Sequence, residues 1–259
     1  MKSLRIGWLY QDLNPGGGQR VCIEISRELI KRGYDVSIIV PKGRTGGRKI
    51  EGVKILERGP RFNSPMISIL SSIPAMFLIS KGFDVVISSM PFMAIINAWS
   101  FNRALKYHWV QIDDVCLFDD HSLIKSPTLL NAYKKTAKYS YHLPLHYIVN
   151  SEWTKRKFES DGGKEAVVIH PGVDTNIFKP LKSAKKNDLI IGTIGRRVRF
   201  KGLDDLISAL KIVFHRGFKF YLRVITQERF NIPELPFFYE IVSPADDTSL
   251  ACLILGCVF

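Results

Sequence analysis

The sequence predicts an α/β protein: a doubly wound domain followed by the opening, incomplete part of a second domain of the same kind. Three observations predict it. An apolar run at residues 4–10 ends in a polar, glycine-rich turn and passes through a helical repeat into a second apolar run at 35–40. The same alternation of short apolar runs with helical stretches continues to about residue 160. A passage beginning at Leu189 then repeats the opening order of strand, glycine-bearing loop, helix, basic-plus-glycine stop and strand.

Residues 4–10 alternate little, which suits a strand buried on both faces, and the turn Gln11-Asp-Leu-Asn-Pro-Gly-Gly-Gly18 follows. Val21, Ile25 and Leu29 recur at helical spacing, and Lys31-Arg32-Gly33 supplies a basic last turn and a glycine stop. Asp35–Val40 is the next strand, and strand, helix and strand make a right-handed crossover in a parallel sheet. Further strands are expected at Val53–Leu56, Val85–Ser88, Tyr107–Gln111 and Tyr147–Asn150, with helices near 65–80, 92–104, 126–141 and 152–160.

The second start places a strand at Leu189–Gly195, a polar loop at Arg196–Gly202, and a helix carrying Leu206, Leu210 and Val213. Asp204 and Asp205 sit in that helix's first turn, His215-Arg216-Gly217 closes it, and Phe218–Ile225 resumes a strand. The domains are therefore expected at 1–178 and 186–259, joined by a stretch containing Pro180 and the lysines of 182–186. The second is short, and the apolar end Leu250–Phe259 lacks an evident covering, which suggests a truncated or interrupted reading frame, or an artificial boundary, rather than a natural terminus.

Composition narrows the partners. The net charge of +13 attracts anions, whether nucleoside diphosphates, anionic lipid surfaces or nucleic acid, and charge alone does not choose among them. The basic clusters Arg103–Lys106, Lys134–Lys138 and Lys182–Lys186 are short and spell no nucleic-acid motif. Four scattered cysteines, Cys22, Cys116, Cys252 and Cys257, indicate neither a disulfide framework nor a zinc site. A reducing, cytoplasmic setting is expected. The apolar stretch Pro65–Ser80 is too short to span a bilayer and reads as a buried or membrane-surface helix.

Two loops could carry chemistry. Gly16, Gly17 and Gly18 stand where a strand hands over to a helix; glycine there admits a ligand close to backbone N–H groups at the positive end of the helix. The same triplet also makes an ordinary flexible turn. In the second loop, Gly195 and Arg196 precede Lys201 by a few positions, and a guanidinium with an ammonium there can grip a diphosphate; the bland alternative is a solvated basic loop. On the first domain, His108, Gln111, Asp113 and Asp114 lie at or beyond a strand's carboxyl end, where open α/β sheets bind ligands. His108 alternatively ends up as a satisfied core residue. No Asp-x-Asp pair supplies a divalent-metal clamp, so no metal site is expected.

Taken together, Gly16-Gly-Gly-Gln-Arg20, Asn150-Ser-Glu-Trp-Thr154, Val168-Ile-His-Pro-Gly-Val-Asp174 and Gly195-Arg196…Lys201-Gly202 resemble the retaining glycosyltransferases of family 4. The resemblance implies the GT-B fold of two Rossmann-like domains, the first holding the acceptor and the second the nucleotide sugar. It implies that Arg196 and Lys201 bind the donor diphosphate and stabilise it as it departs, and that Gly16–Gly18 lie against the donor and acceptor. No bound cofactor is implied, only the nucleotide-diphosphate sugar as donor substrate. A glycan or lipid-linked acceptor and peripheral contact with an anionic membrane fit the basic charge.

The sequence departs from the family in two places. Where many members carry an acceptor-side histidine, Gln111 or Asp113 stands here, and Ser151 is a further acceptor-side candidate. No two glutamates are eight positions apart, so the Glu-x7-Glu segment that holds the donor sugar and ribose in the family is missing. A dinucleotide-dependent oxidoreductase is the competing class; neither glycine loop spells G-x-G-x-x-G, and Glu228 is its only support. A basic module binding anionic membrane or nucleic acid is the third.

Overall fold

The computed structural model describes residues 3–14, 16–47, 50–63, 65–79, 82–101, 103–117, 124–179, 189–196, 198–228, 232–255 and 257. Pro180, the lysines of 182–186, Arg197 and Phe259, which figure in the sequence reading, lie outside the described residues.

The chain divides into two compact units, one formed by Met1–Asp119 with Ser126–Gly172, the other by Asp120–Lys125 with Val173–Phe259. The main division falls at Gly172, a few residues ahead of the expected 178.

In the first unit the elements run β1 (Arg5–Leu9), α1 (Gly17–Lys31), β2 (Asp35–Pro41), β3 (Lys54–Arg58), α2 (Pro65–Ile79), β4 (Val85–Ser89), α3 (Pro91–Trp99), β5 (Leu105–Val110), α4 (Pro127–Ser140), β6 (His146–Val149), α5 (Glu152–Ser160) and β7 (Ala166–Val168). They form a seven-stranded sheet in the order β3-β2-β1-β4-β5-β6-β7. Every neighbouring pair is parallel. β1 is an interior strand, buried from Ile6 to Leu9, because helices cover both faces of the sheet. Its pleat sends successive side chains to opposite cores. Trp8 packs with Tyr10, Cys22, Ile38 and Trp109 on the α1 side. Leu9 packs with Ile39, Met76, Val86 and Met93 on the other. A third cluster joins Tyr141, Tyr147, Val149 and Phe158 under α4 and α5.

Asn97 fastens α3 to the sheet: its buried Nδ2 donates to the carbonyls of Val86 at 3.3 Å and Tyr107 at 2.9 Å. His108 is fully buried at the side of Ser88, whose Oγ and carbonyl each lie 3.1 Å from Nδ1. Burial lowers its pKa to about 4, so the ring is neutral near pH 7 and belongs to the core.

The second unit contains β8 (Ile190–Ile194), α6 (Leu203–His215), β9 (Tyr221–Ile225), β10 (Tyr239–Val242) and α7 (Asp247–Leu255). Its three strands pair in parallel in the order β10-β9-β8 over a core of Ile207, Leu210, Phe220, Leu222, Val224 and Phe237. The apolar stretch from Leu250 falls largely in α7, a helix the sequence pattern did not single out, and Ala251 is its buried residue. Among the described residues, no helix is long and apolar enough to cross a membrane.

Candidate active site

In the first unit β1 lies between β2 and β4, and the chain winds from β1 toward β2 and later from β4 toward β7. The two halves of the sheet therefore part between β1 and β4. Loops beyond the carboxyl ends of strands at such a reversal leave a crevice for ligand. The residues there are Tyr10 and the glycine turn after β1, Ser89 and Met90 after β4, and Gln111 after β5. Met90 adopts φ 78°, ψ 141°, a backbone conformation that side chains other than glycine rarely take, at the junction of β4 and α3.

Gln111 ties these ends together. Its Nε2 donates to the Tyr10 hydroxyl at 2.7 Å and to Ser89 Oγ at 3.0 Å, and the Tyr10 hydroxyl donates to the Gly18 carbonyl at 3.0 Å. Burial drives the Tyr10 phenol pKa upward, so the hydroxyl keeps its proton and remains a donor. Asn150 Nδ2 in turn donates to the Gln111 carbonyl, and Thr154 Oγ1 donates to Asn150 Oδ1 at 2.6 Å. The ends of β1, β4, β5 and β6 are thus joined by one polar chain.

Of the three glycines, Gly18 meets this chain directly. A Cβ on Gly18 would come within 2.9 Å of Gln111 Oε1, and one on Gly16 would collide with Gln19 Oε1, whereas one on Gly17 would meet nothing within 4 Å. Helix α1 starts at Gly17 with Gly16 as its cap residue; no side chain caps it and no acid sits in its first turn. Its first N–H groups have no partner inside the helix by geometry, as at any helix start, which suits the approach of an electron-rich ligand.

Of the acceptor-side candidates, only Gln111 reaches the glycine turn. Asp113 folds onto its own loop, where Oδ1 accepts from the backbone N–H of Val115 at 3.2 Å and Cys116 at 3.1 Å. Ser151 caps α5 by accepting from Thr154 N at 3.1 Å. Asp114 is fully buried, and desolvation, helped by the nearby Asp113 charge, raises its pKa to about 8. The sequence reading missed Tyr10, Ser89 and Asn150 as members of this network. The available signal was their common position at or just after strand ends.

In the second unit Gly195 extends β8 by donating to the Ile225 carbonyl at 2.9 Å, and Arg196 follows at the strand's carboxyl end. The chain then makes a short 3-10 turn over Arg199–Lys201 and enters α6 through Gly202, whose φ of 70° is left-handed and favours glycine. Arg196 and Lys201 therefore stand on one loop, after a strand and before a helix N-terminus. Arg196 Nη1 lies 3.0 Å from Glu228 Oε1, and both side chains are about one-third exposed (31% and 32%). Glu228 is held just past β9, where its N–H donates to Thr226 Oγ1 at 3.0 Å. Among the described residues, no group of three His, Cys, Asp or Glu could hold a metal ion.

The sequence profile of the family described as Glycosyltransferase Family 4 matches residues 15–177. The chain belongs to that family. Its class of chemistry is glycosyl transfer, and Gly16–Gly18, Ser89, Gln111 and Asn150 lie inside the matched segment, with Tyr10 just ahead of it.

Solved glycosyltransferases share its fold. Sucrose-phosphate synthase from Thermosynechococcus elongatus matches with a TM-score of 0.77 at 14% identity, over 98% of this chain and 74% of that one. HepE from Anabaena, solved in complex with UDP-glucose, matches with a TM-score of 0.64 at 16% identity, over 95% and 71%. WaaG, a glycosyltransferase involved in lipopolysaccharide biosynthesis, matches with a TM-score of 0.66 at 13% identity, over 94% and 71%. At these identities the likeness shows the GT-B type of fold. No curated protein matches the sequence closely enough to add to this.

Proposed function

We propose that this family 4 glycosyltransferase moves a sugar from a nucleoside-diphosphate donor to a glycan or lipid-linked acceptor with retention at the anomeric carbon. The observation that carries the donor class is Arg196: a guanidinium at the carboxyl end of β8, on one loop with Lys201, ahead of Gly202 and α6. In the reaction the anomeric carbon–oxygen bond to the diphosphate breaks. A bond from that carbon to the acceptor oxygen forms on the same face, and the acceptor proton leaves with the diphosphate. Charge grows on the leaving group, so fixed cations at Arg196 and Lys201 favour the transition state more than the bound donor. UDP-glucose in the HepE complex supports a uridine nucleotide as the first donor to try.

The acceptor is assigned mainly to residues 1–178, with Gln111 at its site, the nucleotide sugar mainly to residues 186–259, and Gly16–Gly18 to contact with both substrates. Cell-envelope or polysaccharide synthesis at the cytoplasmic face of a membrane is the setting that fits best. Its support is the net charge of +13 together with exposed Trp99, Phe101 and Leu105 at the opposite strand ends of the first unit.

Because no Glu-x7-Glu segment stands in the 259-residue chain, little or no transfer is expected of it, and the test is its binding of UDP and GDP by calorimetry, with Arg196→Ala and Lys201→Ala beside it. Affinity that falls by about tenfold or more in each variant, at unchanged melting temperature, supports the assignment. Equal, measurable affinity in all three proteins removes these cations from donor binding. Co-sedimentation with phosphatidylglycerol vesicles but not with phosphatidylcholine vesicles checks the membrane setting.

A further inference from the structure

The donor reading treats Arg196 as a cation awaiting a phosphate, yet its guanidinium already has a carboxylate on it. Glu228 Oε1 lies 3.0 Å from Arg196 Nη1. The contact is built rather than incidental to a mobile surface. Arg196 directly follows Gly195, which still pairs with β9, and Glu228 is drawn back toward the sheet by its N–H bond to Thr226 Oγ1. Thr226 is itself buried and donates to the Val242 carbonyl at 2.9 Å, so the residue that holds Glu228 is anchored to β10.

A carboxylate and a phosphate present the same kind of oxygen edge to a guanidinium. Partial burial of both side chains strengthens their attraction relative to an exposed pair while leaving solutes a path to the guanidinium. A diphosphate binding Arg196 therefore either takes Nη1 from Glu228 or binds the remaining N–H groups beside its charge. Arg196 and Glu228 stand at the carboxyl ends of adjacent parallel strands, β8 and β9.

We infer that Glu228 is an internal competitor for Arg196, an affinity-setting residue that orients the guanidinium before donor binding and weakens the hold on the diphosphate once it is bound. The inference rests on the donor reading of Arg196. It adds that this chain trades donor and product affinity for a pre-oriented cation and an easier release of the nucleoside diphosphate.

The experiment is calorimetric titration of the 259-residue chain with inorganic pyrophosphate and with UDP, in parallel for the wild type, Glu228→Gln, Glu228→Ser, Arg196→Ala and Arg196→Ala/Glu228→Gln. Gln keeps the shape and a neutral acceptor; Ser guards against a fold effect peculiar to Gln. Both single Glu228 variants are expected to bind pyrophosphate and UDP roughly three- to tenfold more tightly at low ionic strength, the gain shrinking as salt rises. In the Arg196→Ala background, the Glu228 change should lose most of that gain.

Unchanged or weaker binding of both ligands in the Glu228 variants overturns the inference, and so does the failure of wild type and variants alike to bind either. Weaker UDP binding with unchanged pyrophosphate binding overturns it in favour of a ribose contact by Glu228. A failure of the donor reading looks different: Arg196→Ala then binds pyrophosphate as the wild type does.

Discussion

The chain makes the same move twice, strand to turn to helix, and equips the two turns by opposite means. After β1 the turn is bare backbone, Gly16–Gly18, fixed from beneath by neutral polar groups: Tyr10, Ser89, Gln111 and Asn150. After β8 the turn carries charge on side chains, Arg196 and Lys201, with Glu228 across from Arg196. β1 is flanked by strands on both sides and buried in a seven-stranded sheet, where an ion would be costly and a satisfied neutral network is not. Arg196 and Glu228 are both partly solvated, so charge there is affordable in energy and available to a ligand. Under the proposed function, the turn seated in a core would recognise by shape and N–H direction, and the turn nearer to water by charge.

That contrast is broken most easily at its largest effect. Gln111→Ala removes the amide that donates to both Tyr10 and Ser89, leaves these two only each other and the Gly18 carbonyl, and opens a space among buried groups, at a cost of about 2–3 kcal/mol. Arg196→Ala, at a partly exposed pair, should cost within about 1 kcal/mol. Urea unfolding of both variants measures this, and an Arg196→Ala loss as large as that of Gln111→Ala would erase the distinction between the two turns.

Asp114 sharpens the same point with pH. Its pKa is raised to about 8 by burial first and by Asp113 second, against an unfolded value near 4. Between those values the folded chain holds a proton that the unfolded chain has lost. This group's contribution is therefore most favourable at low pH, declines as pH rises, and levels off above about 8. Asp114→Asn keeps the size and neutrality and removes the slope. Its stability relative to wild type should rise by about 1 kcal/mol or more between pH 5.5 and 8.5, read from urea midpoints. A constant difference would mean that Asp114 is ionised in the folded protein.

Gly18→Ala comes next. Its Cβ would stand 2.9 Å from Gln111 Oε1, and because the other end of that amide is held by Tyr10 and Ser89, the side chain yields only by giving up bonds. A loss of about 1 kcal/mol is expected, and it should largely vanish in a Gln111→Ala background. Additive losses would show that the close approach plays no part.

The order of elements was legible because period and punctuation agree: apolar runs that fit two-sided burial, helical repeats, and basic-plus-glycine stops at Gly33 and Gly217. β10 and α7 were not, since Tyr239–Val242 is a four-residue run among prolines and phenylalanines, and α7 is apolar without a clear polar face. In the candidate site, the glycines and cations announce themselves by residue type. Tyr10, Ser89 and Asn150 do not, because their roles arise from the register that sets the ends of β1, β4 and β6 side by side, which local spacing cannot convey. Glu228 was visible as an acid after a strand, but its pairing with Arg196 depends on β8 lying beside β9.

Gly17→Ala is the smallest change in stability and separates the fold from the ligand most cleanly. A Cβ at Gly17 meets nothing within 4 Å, its backbone needs no left-handed conformation, and it is the first residue of α1. Alanine there should leave stability equal or raise it by a few tenths of a kcal/mol through helix propensity. Yet the added methyl stands beside the uncapped first turn, where a ligand would approach the N–H groups. If those groups serve the substrates, Gly17→Ala should weaken UDP binding several-fold while melting at or above the wild-type temperature. Unchanged, measurable binding would show that Gly17 is a plain turn residue and leave recognition in the first unit to Gln111 and its neighbours.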